Sequence, residues 1–266
     1  MRKLFISADM EGTAGIAHWD ETEKGKPLYD HFAHQMSREA AAACEGALAA
    51  GYDEVLVKDA HDSARNINPA MLPVQARIFR GWGRHPFSMM AGLDESFSGV
   101  VFTGYHSAAG TNANPLSHTM NTRNNYVKIN GELCSELRMN CLTAAYVGVP
   151  VYCVCGDKGL CEWVQSVNPN IETVPVSEGF GNGSVSIHPD AAVERIRETV
   201  ERAARKSADD CMFPLPGHFC VEINFKTHPA ATSASWYPGC TQKDAFTVSF
   251  EADDYLDVLR FFHFVL

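Results

Sequence analysis

Short apolar runs alternate along the chain with longer helical patterns. Residues 3–8, 54–58, 99–103 and 151–155 are apolar runs that end abruptly at polar residues, and each predicts a buried strand. Residues 30–50 are rich in alanine and stop at Gly51, and 135–147 and 189–207 show further helical patterns. Strands that alternate with helices predict an α/β protein with a mostly parallel sheet flanked by helices.

The C-terminal part of the chain has a different pattern. Residues 219–225 and 245–250 predict strands, and 253–262 predict a last helix. A hairpin is expected earlier, across 126–134, because Asn130-Gly131 is a strong turn signal. We therefore expect an α/β catalytic domain at 1–213 and a smaller β-rich extension or subdomain at 214–266.

Composition and charge exclude several classes of function. A chain of 266 residues with 45% apolar content is long enough to bury a sizeable core. Its formal net charge of −10 argues against nucleic acid as a partner, since phosphate backbones require clustered Lys and Arg. The first apolar run is too short for a signal peptide, and no run of about 18 apolar residues occurs. We expect a soluble cytoplasmic protein with no membrane partner.

The nine cysteines do not predict a metal site. No C-x-x-C pair is present, and the spacings do not form a disulfide framework. Reduced and mostly buried thiols are the expectation for such a pattern.

Acidic and histidine side chains follow three of the predicted strands. Asp9 and Glu11 come after the first, Asp59 and His61 after the second, and His106 after the third. Because the carboxyl ends of parallel strands border one crevice, these side chains should meet there. The convergence indicates a binding site.

Each residue taken alone has an ordinary structural explanation. Asp9 could form a turn, and His61 and His106 could be loop histidines. Glu136 is expected in the first turn of a helix, where the helix dipole favours a carboxylate in any case. His118 lies in a polar loop that it could simply cap.

The set of residue types suits a pair of zinc ions. Zinc accepts imidazole and carboxylate ligands readily, whereas magnesium sites seldom use histidine. Carboxylates and histidines with one bridging Asp can hold two metals about 3.5–4 Å apart. Such a pair generates a bridging hydroxide near neutral pH and polarises a carbonyl, and hydrolysis of an amide needs both effects.

Five short motifs carry a resemblance to a known family. They are SADMEG at 7–12, DAHDSARN at 59–66, GYHS at 104–107, SHT at 117–119 and SE at 135–136. In this order and spacing the chain resembles the dipeptide-transport-associated D-aminopeptidases, a family of zinc peptidases. The similarity runs from the first strand to about Asp157 and is looser beyond it.

The resemblance implies a set of ligands and two zinc ions per chain. Asp9 would bridge the metals, Glu11 and His61 would complete one site, and His106 and Glu136 would complete the other. Glu132, four residues before Glu136, stays open as the alternative ligand.

The resemblance also implies a catalytic residue, a substrate and an assembly. His118 would transfer a proton or stabilise the tetrahedral intermediate. The substrate would be a short peptide with an N-terminal D-amino acid, such as D-Ala-D-Ala. Members of the family form rings of subunits, commonly decamers, so a homo-oligomer is expected.

Three aspartates are expected to support the metal ligands. Asp59, Asp62 and Asp157 would orient the histidines through the ring nitrogen that does not bind metal.

Two other functions remain open at this point. A two-metal phosphoesterase would have a similar ligand set, and Lys58, Arg65 and Arg123 are the cations nearest to the motifs. A non-catalytic metal-binding or peptide-binding protein is the second alternative.

Overall fold

Two sheets and six α-helices make up the computed structural model, which describes all residues 1–266. The strands are β1 (Lys3–Ala8), β2 (Glu54–Asp59), β3 (Ala76–Phe79), β4 (Val100–Tyr105), β5 (Asn124–Ile129), β6 (Glu132–Leu133), β7 (Val151–Asp157), β8 (Glu172–Phe180), β9 (Gly183–Ser186), β10 (Phe219–Phe225), β11 (Thr241–Gln242) and β12 (Thr247–Ala252). The helices are α1 (Tyr29–Ala49), α2 (Glu136–Val147), α3 (Lys158–Val167), α4 (Pro189–Ala203), α5 (His228–Ala234) and α6 (Tyr255–Val265).

The larger sheet has the strand order β3-β2-β1-β4-β7-β8-β9. All neighbouring strands in it are parallel except β8 and β9, which form an antiparallel pair at one edge. The predicted α/β class with a mostly parallel sheet is therefore confirmed. Sequence patterns missed the strands β3, β8, β9 and β11 and the helices α3 and α5.

Both faces of the larger sheet are buried, which explains why its strands are apolar runs. Leu4 and Ile6 of β1 pack in the core cluster that includes α1 and α4. Phe5 points to the opposite face, into a cluster that also contains residues of α2, α6 and the second sheet. The small residues of α1 permit close packing on α4. At Gly46 the helices are so close that an added Cβ would lie 2.4 Å from the carbonyl oxygen of Arg197.

The smaller sheet is antiparallel and has the order β11-β12-β10-β5-β6. Its β5–β6 hairpin turns at Asn130 and Gly131, whose φ values of 51° and 82° are those of the predicted turn. Three of its strands follow residue 213 and two precede it. The proposed boundary at 213/214 stays a prediction, and this sheet draws strands from both sides of it.

None of the six helices has an apolar stretch of the length needed to cross a bilayer.

Candidate metal centre

The segment after β1 folds over the end of β4. The Asp9 N–H donates to the Thr103 carbonyl oxygen at 2.9 Å, and the Gly12 N–H donates to that of Gly104 at 2.8 Å. A Cβ at Gly12 would lie 1.8 Å from the carbonyl oxygen of Tyr105, so only glycine fits there. This close approach places the carboxylates of Asp9 and Glu11 at the carboxyl end of the sheet.

One cluster of possible ligands contains Asp9, Glu11 and His61. The Nδ1 atom of His61 lies 3.4 Å from Oδ1 of Asp9 and 3.1 Å from Oε2 of Glu11. The other ring nitrogen, Nε2, lies 2.9 Å from the carbonyl oxygen of Thr22. A carbonyl only accepts, so Nε2 donates to Thr22 and Nδ1 is the ring nitrogen that faces the carboxylates.

A second cluster contains Asp9, His106 and Glu136. The Nε2 atom of His106 lies 3.6 Å from Oδ2 of Asp9 and 3.7 Å from Oε1 of Glu136. The Nδ1 atom of His106 lies 3.0 Å from the carbonyl oxygen of Ser107, to which it donates, so Nε2 is the ring nitrogen that faces the carboxylates. Asp9 is common to both clusters and offers one carboxylate oxygen to each.

His118 faces the same centre from the loop between β4 and β5. Its Nε2 atom lies 3.4 Å from Oε1 of Glu136 and 3.9 Å from Oε1 of Glu11. Its Nδ1 atom lies 2.9 Å from the Leu116 carbonyl oxygen, and its ring stacks on that of His106 at 4.3 Å between centroids. The imidazole is thus held in place with Nε2 directed at the cluster.

Of the two glutamates left open by the sequence, Glu136 lies at the centre. It is buried at the start of α2, where the Ser135 side chain caps the helix as predicted, and its Oε1 accepts from the Met120 N–H at 2.6 Å. Glu132 is exposed on β6 and pairs instead with Arg138, at 3.0 Å.

Burial and mutual proximity shift the pKa values of the central groups in opposite directions. Burial, with Glu11 nearby, raises the pKa of Asp9. Burial disfavours the ionised form of Glu11 too, but the adjacent His61 outweighs it and holds the pKa of Glu11 well below its usual range. Burial opposes protonation of His106, yet the surrounding carboxylates, Glu136 foremost, raise its pKa to about 9. The site therefore concentrates negative charge and attracts cations.

The donor set fits metal ions. Oδ2 of Asp9, Oε2 of Glu11 and Nε2 of His106 are buried and have no hydrogen-bond partner within the protein. Buried polar atoms normally find a partner, and unpaired ones within two adjacent ligand clusters fit bound cations. Imidazole with carboxylate is a ligand combination that zinc accepts.

The expected role of the three aspartates is wrong, because backbone carbonyls orient both His61 and His106. Asp59 accepts from Asn66 and Ile67 and thereby shapes the loop that follows β2. Asp157 accepts from the backbone and side chain of Ser107, each at 2.6 Å, and caps α3. Asp62 is exposed beside the cavity described below.

Sequence reasoning missed the residues that hold these groups in place. Thr22 and Ser107 act through carbonyl oxygens, which every residue has, so no side-chain signal exists. A buried network beneath the centre was missed as well: Tyr105 lies 2.6 Å from the Ser7 hydroxyl and accepts from Asn140 at 2.8 Å. It ties together β1, β4 and α2, the elements that carry Asp9, His106 and Glu136.

A cavity of about 390 Å³ opens onto the centre. Asp9, Glu11, His61, His118 and Glu136 form its floor. Its remaining walls are Trp19, Thr22, Glu23, Ala60, Asp62, Trp82, Met89, Met120, Asn121 and Thr122, so no Lys or Arg side chain lines it. A cavity of this size suits a small substrate.

Comparisons with known proteins agree with this geometry. The model of peptidase family M55, described as D-aminopeptidase, matches residues 1–264. A D-aminopeptidase of Bacillus subtilis (strain 168) is 32% identical over 261 residues, which cover 97% of this chain and 94% of the relative. The solved structure of the zinc-dependent D-aminopeptidase DppA from Bacillus subtilis, described as a self-compartmentalizing protease, superposes with a TM-score of 0.90 at 31% identity. That match covers 98% of this chain and 95% of the other.

Proposed function

This chain belongs to the D-aminopeptidase family, peptidase family M55, and from that premise we propose that it removes N-terminal D-amino acids from short peptides at a two-zinc centre. The observation that carries the proposal is that the two carboxylate oxygens of Asp9 each face a separate group of possible ligands. The chain is an enzyme, a peptide hydrolase.

We propose zinc as the metal, with Glu11 and His61 completing one site and His106 and Glu136 the other. The zinc dependence of the Bacillus subtilis neighbour supports this choice. The ring orientations of His61 and His106 support the assignment, because one nitrogen of each imidazole donates to a backbone carbonyl and the other faces the shared carboxylate. When bound, a pair of zinc ions lowers the pKa of a water molecule and polarises the carbonyl of the scissile amide.

His118 is proposed as the catalytic residue that moves a proton. Its side chain is 13% exposed, against 8% or less for each of the five proposed ligands, and it lines the cavity where the peptide would lie. Its Nε2 atom faces the cavity and can accept a proton from the attacking water and donate it to the leaving amine. The Leu116 carbonyl keeps that nitrogen directed at the reacting atoms.

The cavity walls support a peptide with a free amino terminus. Glu23 and Asp62 are exposed carboxylates at the wall, and they would attract an ammonium group.

The same walls count against the phosphoesterase alternative, because transferred phosphoryl groups require cationic partners. Lys58, Arg65 and Arg123 all lie outside the cavity lining. Lys58 donates to the carbonyl oxygens of Asp59 and Gly81, and Arg123 donates to that of Leu266.

The test measures metal content and turnover together. Purified protein should hold two zinc ions per chain and release p-nitroaniline from D-alanyl p-nitroanilide, but not phosphate from a p-nitrophenyl phosphate control. His118→Ala should keep both zinc ions and lose activity by about 10²–10⁴-fold, the usual contribution of general acid–base catalysis. Full activity in His118→Ala would remove the residue from the mechanism. A wild-type protein that hydrolyses neither D- nor L-peptides would contradict the proposed activity and favour a non-catalytic metal-binding or peptide-binding protein.

We further propose that the chain assembles into a closed homo-oligomer, a decameric ring. Support comes from the self-compartmentalizing relative and from apolar side chains left exposed in the single chain. Trp236 is 84% and Phe264 74% exposed. Trp236 is next to Tyr237 in the chain, and the ring of Tyr237 stacks on that of Phe264 at 6.3 Å between centroids. Native mass spectrometry should find one large species, and Trp236→Ser with Phe264→Ser should lower its mass. A cytoplasmic location stays a prediction from the sequence.

A further inference from the structure

A second group of metal-binding side chains lies on the antiparallel sheet, apart from the candidate metal centre. Cys220 of β10 pairs directly across the ladder with Glu251 of β12. His218 precedes Cys220 by two positions, and Asp253 follows Glu251 by two. Because side chains alternate along a strand, all four are expected on the same face of the sheet.

Three of these side chains are already close enough to bind one metal ion, and the fourth contacts the imidazole. Possible ligand atoms of His218, Cys220 and Glu251 all lie within 4.8 Å of one another. The Nε2 atom of His218 is 3.9 Å from Oε2 of Glu251, while its Nδ1 atom is 2.6 Å from Oδ1 of Asp253. Asp253 therefore accepts the Nδ1 proton and leaves Nε2 facing Glu251, the carboxylate–histidine pairing that commonly supports a metal-binding imidazole.

The backbone that carries these ligands is held by the neighbouring hairpin. The Cys220 N–H donates to Oδ1 of Asn130 at 2.7 Å, and Nδ2 of Asn130 donates to the His218 carbonyl oxygen at 3.0 Å. The side chains of His218 and Cys220 are exposed, so they can rotate toward a common ion while the main chain stays in place.

We propose that His218, Cys220 and Glu251 bind a zinc ion, with Asp253 orienting the imidazole. Thiolate, imidazole and carboxylate are all zinc ligands, at about 2.0–2.3 Å from the metal. Those bond lengths require the three ligand atoms to draw together by up to about 1.5 Å from their present spread, a movement that side-chain rotation supplies. Three protein ligands leave a fourth tetrahedral position for water.

Cobalt distinguishes this site from the proposed catalytic centre, because only this site contains a sulfur ligand. Co²⁺ bound to a thiolate gives a ligand-to-metal charge-transfer band in the near ultraviolet, which nitrogen and oxygen ligands do not give. We expect the band when Co²⁺ is added to the full-length protein under a phosphine reductant. Cys220→Ser should abolish it, and His218→Ala should weaken Co²⁺ binding at least tenfold. Cys240→Ser, which removes the other thiol that is not buried, should leave the band unchanged.

Alkylation provides a second measurement that does not depend on the spectrum. One further equivalent of Zn²⁺, added to protein that already holds two zinc ions per chain, should slow the reaction of Cys220 with iodoacetamide at least tenfold, read by mass spectrometry of the peptide, and should leave Cys240 unaffected. The Cys220→Ser and His218→Ala variants should keep peptidase activity, since the catalytic centre contains neither residue. Absence of the charge-transfer band together with unchanged alkylation of Cys220 would overturn the site and would leave the proposed peptidase function untouched.

Discussion

Replacement of Glu39 by Gln should stabilise the protein at alkaline pH and change little at acidic pH. Glu39 is buried in α1, where Oε1 accepts from the Ala14 N–H and from Gln35, both at 3.0 Å, and Oε2 has no partner. Burial raises the pKa of this carboxyl from its ordinary 4.5 to about 7, against the opposing effect of its hydrogen bonds and of Arg38. The ionised form is therefore disfavoured in the folded state.

The sign and size of the effect follow from proton linkage. Between pH 4.5 and about 7 the folded protein holds a proton on Glu39 that the unfolded chain has lost, so this residue makes stability fall as pH rises through that window. At about 1.4 kcal/mol per pH unit, the full penalty above pH 8 is about 3 kcal/mol. A glutamine keeps the acceptor for Ala14 and carries no charge, so it escapes the penalty.

The assay compares the thermal unfolding of zinc-loaded wild type and Glu39→Gln at pH 5 and pH 8.5. For a chain of this size about 3 kcal/mol corresponds to a rise in Tm of about 6–12 °C at pH 8.5, with a much smaller difference at pH 5. Glu45→Gln, an exposed site on the same helix, is the matched control and should shift neither value. A Tm difference that is the same at both pH values, or a loss of stability at pH 8.5, would refute the reasoning.

Four further outcomes are expected. Asp9→Asn should lower the zinc content measured by elemental analysis below one ion per chain, because both proposed sites share this carboxylate. Gly12→Ala should greatly reduce zinc binding and activity, since its Cβ would collide with the Tyr105 carbonyl oxygen at 1.8 Å. Asp157→Ala should lower the free energy of unfolding by about 3–5 kcal/mol in denaturant titrations, because it removes a buried acceptor of three hydrogen bonds. Zinc affinity in competition titrations should rise with pH up to about 9, because the metal must displace the proton that His106 holds below that pKa; an affinity independent of pH would contradict this.

The fold class followed from the sequence because the relevant signals are local. Apolar runs at 3–8 and 54–58 became β1 and β2, and the alanine-rich stretch became α1 within one residue at each end. The helix at 189–207 ended four residues early, since helix ends depend on capping by groups elsewhere in the fold. Strand β8 escaped prediction because its burial alternates irregularly along its length.

The candidate site, too, could be predicted from the sequence only in part. Strand ends placed Asp9, Glu11, His61 and His106 together in the sequence analysis, because parallel strands bring their carboxyl ends to one edge. The choice between Glu132 and Glu136 needed the resemblance to a family, and their separation in space appears only in the folded chain.

The sequence by itself determined the central strands, the longer helices and the chemical types that follow each of those strands, because periodicity and turn residues act over a few neighbouring positions. Only the tertiary structure decided which ring nitrogen of His61 and His106 faces the carboxylates, since carbonyl oxygens of Thr22 and Ser107 make that choice. It also decided that strands from both sides of residue 213 share one sheet. Such contacts join residues distant along the chain, and their energies depend on burial and geometry that no local pattern contains.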